Sequence, residues 1–343
     1  MKNNQLMIYG AYGYAGELMV REAVAQGLRP IIAGRDDEKL KPIATELSLE
    51  CRAFGVRNTG SNLQDISVLL NCAGPFSATA EPLARACLAQ QIHYLDITGE
   101  IDIFRKCHAL DEEARQQNVL ILPGAGTDIV PTDCLAAMLK EKLPVATRID
   151  LALSFGTNPS IGTVNTMIES FGKGGLIREG GMLKVVSNAF QMRKIPFQNK
   201  PQWAMTIPWG DVFTSGISTG VPDGAVYMAM PRMSIYMIRL TNPVKGILNT
   251  QFGQKITKRL AGWLMKKGPD AKALEAGRGQ FWGEAEAPDG EKLEMTMSTP
   301  NVYALTATVG IRIAQYCLDY TGPGGYYTVS YTHLRAHETD SYL

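Results

Sequence analysis

The sequence predicts an α/β protein, a doubly wound parallel sheet followed by a second α+β domain. Three observations predict it. Short apolar runs alternate with helical patterns over residues 1–145. A glycine-spaced turn joins the first strand to the first helix. After about residue 145 the pattern changes to glycine-rich, hairpin-forming sequence. Alternation of this kind means parallel pairing, because parallel neighbours need a crossover connection. A chain of 343 residues suits about two domains at roughly 100–200 residues each.

The strands of the first domain are expected at Leu6–Tyr9, Pro30–Ala33, Ile66–Cys72, His93–Ile97 and Val119–Leu122. Their near-continuous apolar runs suit strands covered on both faces. Helices are expected at Ala15–Gln26, Asp37–Leu47, Thr79–Gln90, Asp102–Gln116 and Pro131–Lys142. Within Asp102–Gln116, Phe104, Cys107, Leu110 and Ala114 fall on one face. The second domain, residues 146–300, has strand candidates at Asp150–Phe155, Trp203–Ile207 and Val226–Ala229. Phe281–Ala287 and Lys292–Thr296 flank Pro288-Asp289-Gly290-Glu291, which reads as a hairpin turn. Asn301–Tyr320 is helical, and residues 301–328 are expected to pack back on the first domain. Val329–Leu343 lacks apolar periodicity and resembles translated adapter sequence. It is expected to be a non-native tail that contributes nothing to the fold, and His333 and His337 nothing to a site.

A hydrophobic content of 45% with 20% charged residues supports packed cores and argues against disorder. A net charge of +1 creates no field that would gather nucleic acid. No two of the six cysteines have the short spacing of a zinc site, so no metal is expected. Met1-Lys2-Asn3-Asn4 runs straight into a strand, and no run reaches the ~18 apolar residues that span a bilayer. These features predict a reduced, cytoplasmic protein.

Gly10-Ala11-Tyr12-Gly13-Tyr14-Ala15-Gly16 follows an apolar strand and opens a helix. Gly10 permits a tight turn, Gly13 a close approach of backbone to a pyrophosphate, and Gly16 close helix–sheet packing. The helix N-terminus adds N–H groups and partial positive charge. This context makes the motif a dinucleotide-binding, Rossmann-type turn. The next strand, Ile31-Ile32-Ala33, ends in Gly34-Arg35. NAD-binding domains usually carry an acid there for the ribose hydroxyls. A guanidinium instead suits a 2′-phosphate, so NADP(H) is favoured. A strand one residue longer would leave Asp36 to serve a ribose hydroxyl.

Gly10–Gly16, Ala33-Gly34-Arg35, Asn71-Cys72-Ala73-Gly74-Pro75-Phe76, Tyr94-Leu95-Asp96-Ile97-Thr98-Gly99-Glu100 and Gly124–Asp133 occur in this order. Together they resemble the saccharopine dehydrogenase-like oxidoreductases. The resemblance is closer to the branch with trans-acting enoyl reductases than to the lysine-pathway enzymes. Gly268-Pro269-Asp270, Arg278–Trp282 and Tyr303-Ala304-Leu305-Thr306-Ala307 extend it, so that it covers about residues 5–328. It implies a Rossmann domain for NADP(H), a substrate domain and oxidoreductase activity, with no particular substrate. Members commonly continue past a sequence such as Gly325-Tyr326-Tyr327-Thr328 with Pro, where this chain has Val329.

Ligands of open α/β sheets lie beyond the carboxyl ends of the strands. Ala73, Gly74, Pro75 and Phe76 are therefore expected at the cofactor, with Phe76 near the nicotinamide. Tyr12, Tyr14 and Ala15 join the glycines of the first turn. A reductase also needs a proton source, and Glu100 is the first candidate and Asp128 the second. Asp96, Asp102 and Asp133 read as loop braces or helix caps, and His93 as a packed residue. No Tyr is followed four positions later by Lys, so the short-chain dehydrogenase proton-donor pair is missing.

The expected reaction is hydride transfer from NADPH to a carbonyl or activated C=C. An imine reductase or amino-acid dehydrogenase would need cations for substrate carboxylates, for which Arg178, Lys184 and Arg193 are available. A non-catalytic NADP(H)-binding or lipid-associated scaffold is the reading from another class. Expected partners are a small-molecule substrate and no nucleic acid. Met228, Met230, Met233 and Met237 leave a lipophilic substrate open. The basic amphipathic stretch Ile256–Lys267 leaves a peripheral membrane contact open. A homodimer is open as well.

Overall fold

The computed structural model describes residues 4–155, 174–240, 242–244, 250 and 277–334. By contacts the chain divides into two units, residues 1–130 with 303–343, and residues 131–302.

The first unit is built on β1 (Leu6–Tyr9), β2 (Ile31–Gly34), β3 (Cys51–Ala53), β4 (Val68–Asn71), β5 (His93–Asp96) and β6 (Leu120–Leu122). With β15 (Gly325–Tyr326) they form one sheet in the order β15-β6-β5-β4-β1-β2-β3. Every pairing is parallel. All residues of β1, β2, β4 and β6 are buried. The sequence reverses direction across the sheet between β1 and β4, which is the topological switch point of a Rossmann fold. Of the two missed strands, β3 and β15, which are the two edges of the sheet, β3 is the longer. It is short and only partly buried, so neither an apolar run nor alternation marks it.

The helices of this unit are α1 (Tyr14–Ala25), α2 (Asp37–Leu47), α3 (Phe76–Ala89), α4 (Ile101–His108) and α5 (Asp111–Gln116). α1 buries the stripe Gly16, Met19, Val20 and Ala23. The single helix expected over Asp102–Gln116 is two. At the break the Leu110 N–H bonds to Cys107 O rather than four residues back. Phe104, Cys107, Leu110 and Ala114 are nevertheless all buried. α9 (Val302–Leu318) and α10 (Val329–Leu334) complete the C-terminal part. Thr306 Oγ1 accepts from Thr127 N–H at 3.1 Å, and a Cβ on Gly310 would fall 2.5 Å from Met19 Cε. α9 is therefore packed tightly on α1 and the loop after β6. The tail expected to add nothing from Val329 onward is corrected in part. Val329 and Ser330 are buried, and the Tyr331 ring packs 4.4 Å from Tyr327. His337 lies outside the described residues.

The second unit opens with α6 (Val130–Lys142), so the division falls at residues 130/131 rather than near 145. Hydrogen bonds explain where this helix belongs. Thr132 donates to Asp211 at 2.8 Å and Ser218 to Asp133 at 2.6 Å. Its strands are β7 (Arg148–Phe155), β8 (Gly175–Glu179), β9 (Met182–Val186), β10 (Met192–Pro196), β11 (Pro201–Ile207), β12 (Asp223–Ala229), β13 (Gly279–Glu286) and β14 (Lys292–Thr299). Six of them run in the order β10-β11-β12-β7-β13-β14, with β8 paired to β12 and β9. Only β12 and β7 of that path pair in parallel. β13 and β14 make the hairpin read at Pro288–Glu291. Three strands, β8 to β10, and the helix α7 (Asp211–Thr219) were not legible from periodicity. α8 (Arg232–Leu240) carries Met233 and Met237 exposed, whereas Met228 of β12 is buried. Ile256–Lys267 and Gly268-Pro269-Asp270 lie outside the described residues.

Candidate functional site

The turn after β1 closes against the loop after β4. Gly10 has φ +87°, and a Cβ there would fall 2.7 Å from the Ala73 nitrogen. A Cβ on Gly16 would fall 2.2 Å from Gly10 O. These contacts are backbone to backbone, so no side chain can be accommodated by rotation. Gly10 N–H donates to Ala33 O at 2.7 Å, and Gly13 N–H to Gly10 O at 3.0 Å. Gly13 is the N-cap of α1, and no side chain caps this twelve-residue helix. Pro75 is the N-cap of α3, again without a side-chain cap. Two helix N-termini thus flank the switch point, each with the partial positive charge that suits an anion. Gly74 and Pro75, joined by a cis peptide, are exposed, and Phe76, the first residue of α3, is half-buried. Tyr14 is exposed and meets Tyr303 edge-on at 5.2 Å. Ala15 is half-buried in the first turn of α1. This cradle fits a dinucleotide, because its glycines leave room only for backbone at the turn.

The end of β2 places Arg35 and Asp36 differently. The strand stops at Gly34. Asp36 is the N-cap of α2, accepting from Lys39 N–H at 3.3 Å and pairing with Lys39 Nζ at 3.3 Å. Asp37 and Glu38 both pair with Lys41. Arg35 is exposed and has no hydrogen bond or ion pair among the described residues. Tyr12 lies against Gly34, where a Cβ would fall 2.6 Å from its ring. Burial pushes the Tyr9 hydroxyl up, Tyr12 adds to this, and the Arg35 guanidinium opposes it. These three side chains therefore gather over the ends of β1 and β2.

A buried polar chain ties the loops after β4, β5 and β6 together. Asn71 accepts from Ala73 N–H at 3.0 Å and donates to Thr79 and to the Tyr94 hydroxyl, both at 3.2 Å. Tyr94 donates to Asp96 at 2.8 Å. The other Asp96 oxygen accepts from Thr98 N–H and Gly124 N–H, both at 3.0 Å. Asp96 is thus a brace between loops. Burial raises its carboxyl to about 6 against these donors. Asn71, Thr79 and Tyr94 escaped the sequence reading as a network, although a polar residue ending the apolar run Val68-Leu69-Leu70 was a visible signal.

Of the acid candidates, Glu100 is half-buried at the N-cap of α4, and its N–H donates to Thr98. Asp128 lies in the loop after β6, and burial pushes its carboxyl up to about 7. It keeps some exposure. Asp133 is fully buried. His93 accepts from Leu120 N–H at 2.9 Å, which makes it a packing residue of β5. The cations considered for a substrate carboxylate are committed elsewhere. Arg178 is buried and donates to Val212 O, Val221 O and Ser215. Arg193 pairs with Glu284 through two contacts of 3.0 Å, and Lys184 pairs with Glu179.

Residues 6–122 match the family model of the saccharopine dehydrogenase NADP binding domain. The N-terminal domain is similar to that family's NADP binding domain. NADP(H) is accordingly its cofactor. A saccharopine dehydrogenase-like oxidoreductase of Rattus norvegicus is 25% identical over 231 residues, 59% of this chain and 53% of that protein. A Mycobacterium tuberculosis protein, provisionally named a trans-acting enoyl reductase, is 28% identical over 205 residues, 54% of this chain and 44% of its own. The resemblance read from the motifs, including its enoyl reductase side, is thus found. The chain spans about half the length of the curated relatives it matches. Apo saccharopine dehydrogenase (L-Glu forming) of Saccharomyces cerevisiae superposes with a TM-score of 0.63 at 10% identity, over 98% of this chain and 97% of that one. That likeness shows a shared fold.

Two relatives correct the expected cytoplasmic location. One, from Arabidopsis thaliana, is provisionally named mitochondrial and is 26% identical over 37% of this chain and 33% of its own. The other, from Caenorhabditis elegans, is named for its localisation to lipid droplets and is 24% identical over 41% of this chain and 37% of its own. Composition and net charge report how a domain folds and dissolves, and they carry no address. Among the described residues, no helix is long and apolar enough to cross a membrane.

Proposed function

We propose that this protein is an NADPH-dependent oxidoreductase that reduces a carbonyl or activated C=C bond of a small organic substrate. The observation that carries the reading is Arg35, exposed and without a partner among the described residues, at the end of β2 beside a glycine turn closed on Ala73. Gly10, Gly13 and Gly16 let backbone approach the pyrophosphate, and the uncapped N-terminus of α1 stabilises its charge. Tyr12, Tyr14 and Ala15 line that turn. Ala73, Gly74, Pro75 and Phe76 form the other wall of the crevice, with Phe76 facing the nicotinamide end. NADPH, when bound, supplies the hydride. Asp128 supplies the proton, since its raised carboxyl keeps a share protonated near neutral pH. Glu100, on the adjacent loop, is the second acid. An amino-acid dehydrogenase finds less support, because Arg178, Lys184 and Arg193 are held by internal partners.

Fluorescence titration of the full chain tests the reading. Tight NADPH binding with weak NADH binding supports it, and reduction of enone or ketone probes with oxidation of NADPH completes it. Binding of neither nucleotide refutes it.

A further inference from the structure

The first turn of α2 holds more charge than a 2′-phosphate site should tolerate. Asp36, Asp37 and Glu38 follow Arg35 directly. A phosphate brought there would meet three carboxylates within one helical turn. Acids at a helix N-terminus stabilise the helix itself, so they cannot be read as errors. What matters is how each is compensated. Lys41 lies 2.8 Å from Asp37 and 2.7 Å from Glu38. Lys39 Nζ lies 3.3 Å from Asp36 Oδ2 and 5.6 Å from the centre of the Tyr12 ring. Tyr12 is in turn fixed against Gly34. Asp36 is anchored by the Lys39 N–H, so its carboxylate stays in place.

We propose that Lys39 is the second cation of the cofactor-selecting site, seated on Tyr12 by its pair with Asp36 and sharing the adenosine 2′-phosphate with Arg35. The inference rests on the NADPH reading above and deepens it. Lys39 acts twice. It cancels the Asp36 carboxylate, which would otherwise repel the phosphate, and it contributes donors of its own. Asp36 serves no ribose hydroxyl, because one of its oxygens caps α2 and the other meets Lys39. The ring beneath Lys39 holds the ammonium through a cation–π contact. That contact limits how far an exposed, flexible lysine wanders, which lowers the ordering cost when phosphate arrives.

Four versions of this chain decide the matter by equilibrium titration with NADPH and with NADH: the unaltered sequence, Arg35→Ala, Lys39→Ala and Asp36→Asn. Lys39→Ala is expected to weaken NADPH by about tenfold, the worth of about 1.4 kcal/mol, and to leave NADH within about twofold. Asp36→Asn retains a good helix cap and removes the charge. It is expected to tighten NADPH and leave NADH unchanged. Equal weakening of both nucleotides by Lys39→Ala, or no change in either, overturns the proposal. So does loss of NADH affinity in Asp36→Asn, which would return Asp36 to the ribose. If Arg35→Ala is selective against NADPH while Lys39→Ala is not, Lys39 alone is misassigned. If Arg35→Ala is not selective, the 2′-phosphate reading itself fails.

Discussion

Replacing Arg35 by alanine isolates one charge from the fold. Arg35 is exposed and holds no internal partner among the described residues, so its removal leaves no buried group unsatisfied. Stability should change by less than about 0.5 kcal/mol, as for ordinary surface substitutions. Binding is another matter. A hydrogen bond to a charged group contributes about 1.5–3 kcal/mol, and solvent exposure places Arg35 at the low end of that range. At about 1.4 kcal/mol per tenfold, NADPH should weaken roughly tenfold to thirtyfold. NADH presents a neutral hydroxyl at the same position, so its affinity should hold within about twofold. The difference must also shrink with salt, because the Debye length falls from about 10 Å at 0.1 M to about 3 Å at 1 M. Nucleotide fluorescence titrations of wild type and Arg35→Ala at both ionic strengths measure all eight affinities. Equal weakening of both nucleotides, or a gap that ignores salt, would refute the 2′-phosphate assignment.

Other outcomes follow from the same geometry. Asp128 binds its proton more tightly folded than unfolded, since burial raises its carboxyl from 3.8 to about 7. Its contribution to stability is therefore complete below pH 3.8 and lost as pH rises through about 7. Asp128→Asn should raise the melting temperature at pH 8 relative to wild type, and in enzyme assays it should remove a rate that falls as pH rises through about 7. An unchanged pH profile would take the proton donor away from Asp128. Asn71→Ala strips three buried partners at once and should cost about 3 kcal/mol in urea unfolding; a loss below about 0.5 kcal/mol would mean that the loops after β4 and β5 are held independently. Gly16→Ala forces a Cβ to within 2.2 Å of Gly10 O. It should lower stability by at least the ~1–3 kcal/mol of an overpacked contact and weaken both nucleotides alike, unlike Arg35→Ala. Native stability with intact binding would show that the turn does not close in this way.

Much of the first domain was legible because its physics is local. Leu6–Tyr9 and Val68–Leu70 are apolar at every position, and only a strand buried on both faces needs that. Gly13 and Gly16 are legible because each absent side chain answers a close approach to Gly10 in the same turn, whereas Gly10 answers Ala73 in the loop after β4. Arg35 could be named from its place after Ile31–Gly34. Whether Arg35 or Asp36 met the ribose could not, since one residue of strand length reverses the answer. The structure adds that Asp36 caps α2 on Lys39 N–H and pairs with Lys39 Nζ. The second domain was poorly legible. β8 to β10 carry Arg178, Lys184 and Arg193 among short apolar positions, and their pairing is set by strands distant in sequence.

The amino-acid sequence alone determined the Rossmann sheet, its phosphate-binding turn and the preference for NADP(H), because these depend on neighbours within a few dozen residues. Only the tertiary structure decided which charges remain available. Arg178, Lys184 and Arg193 looked equally eligible for a substrate carboxylate until folding gave each an internal partner. A side chain's chemistry is written in its type, but its freedom to meet a ligand depends on what long-range packing has already bound.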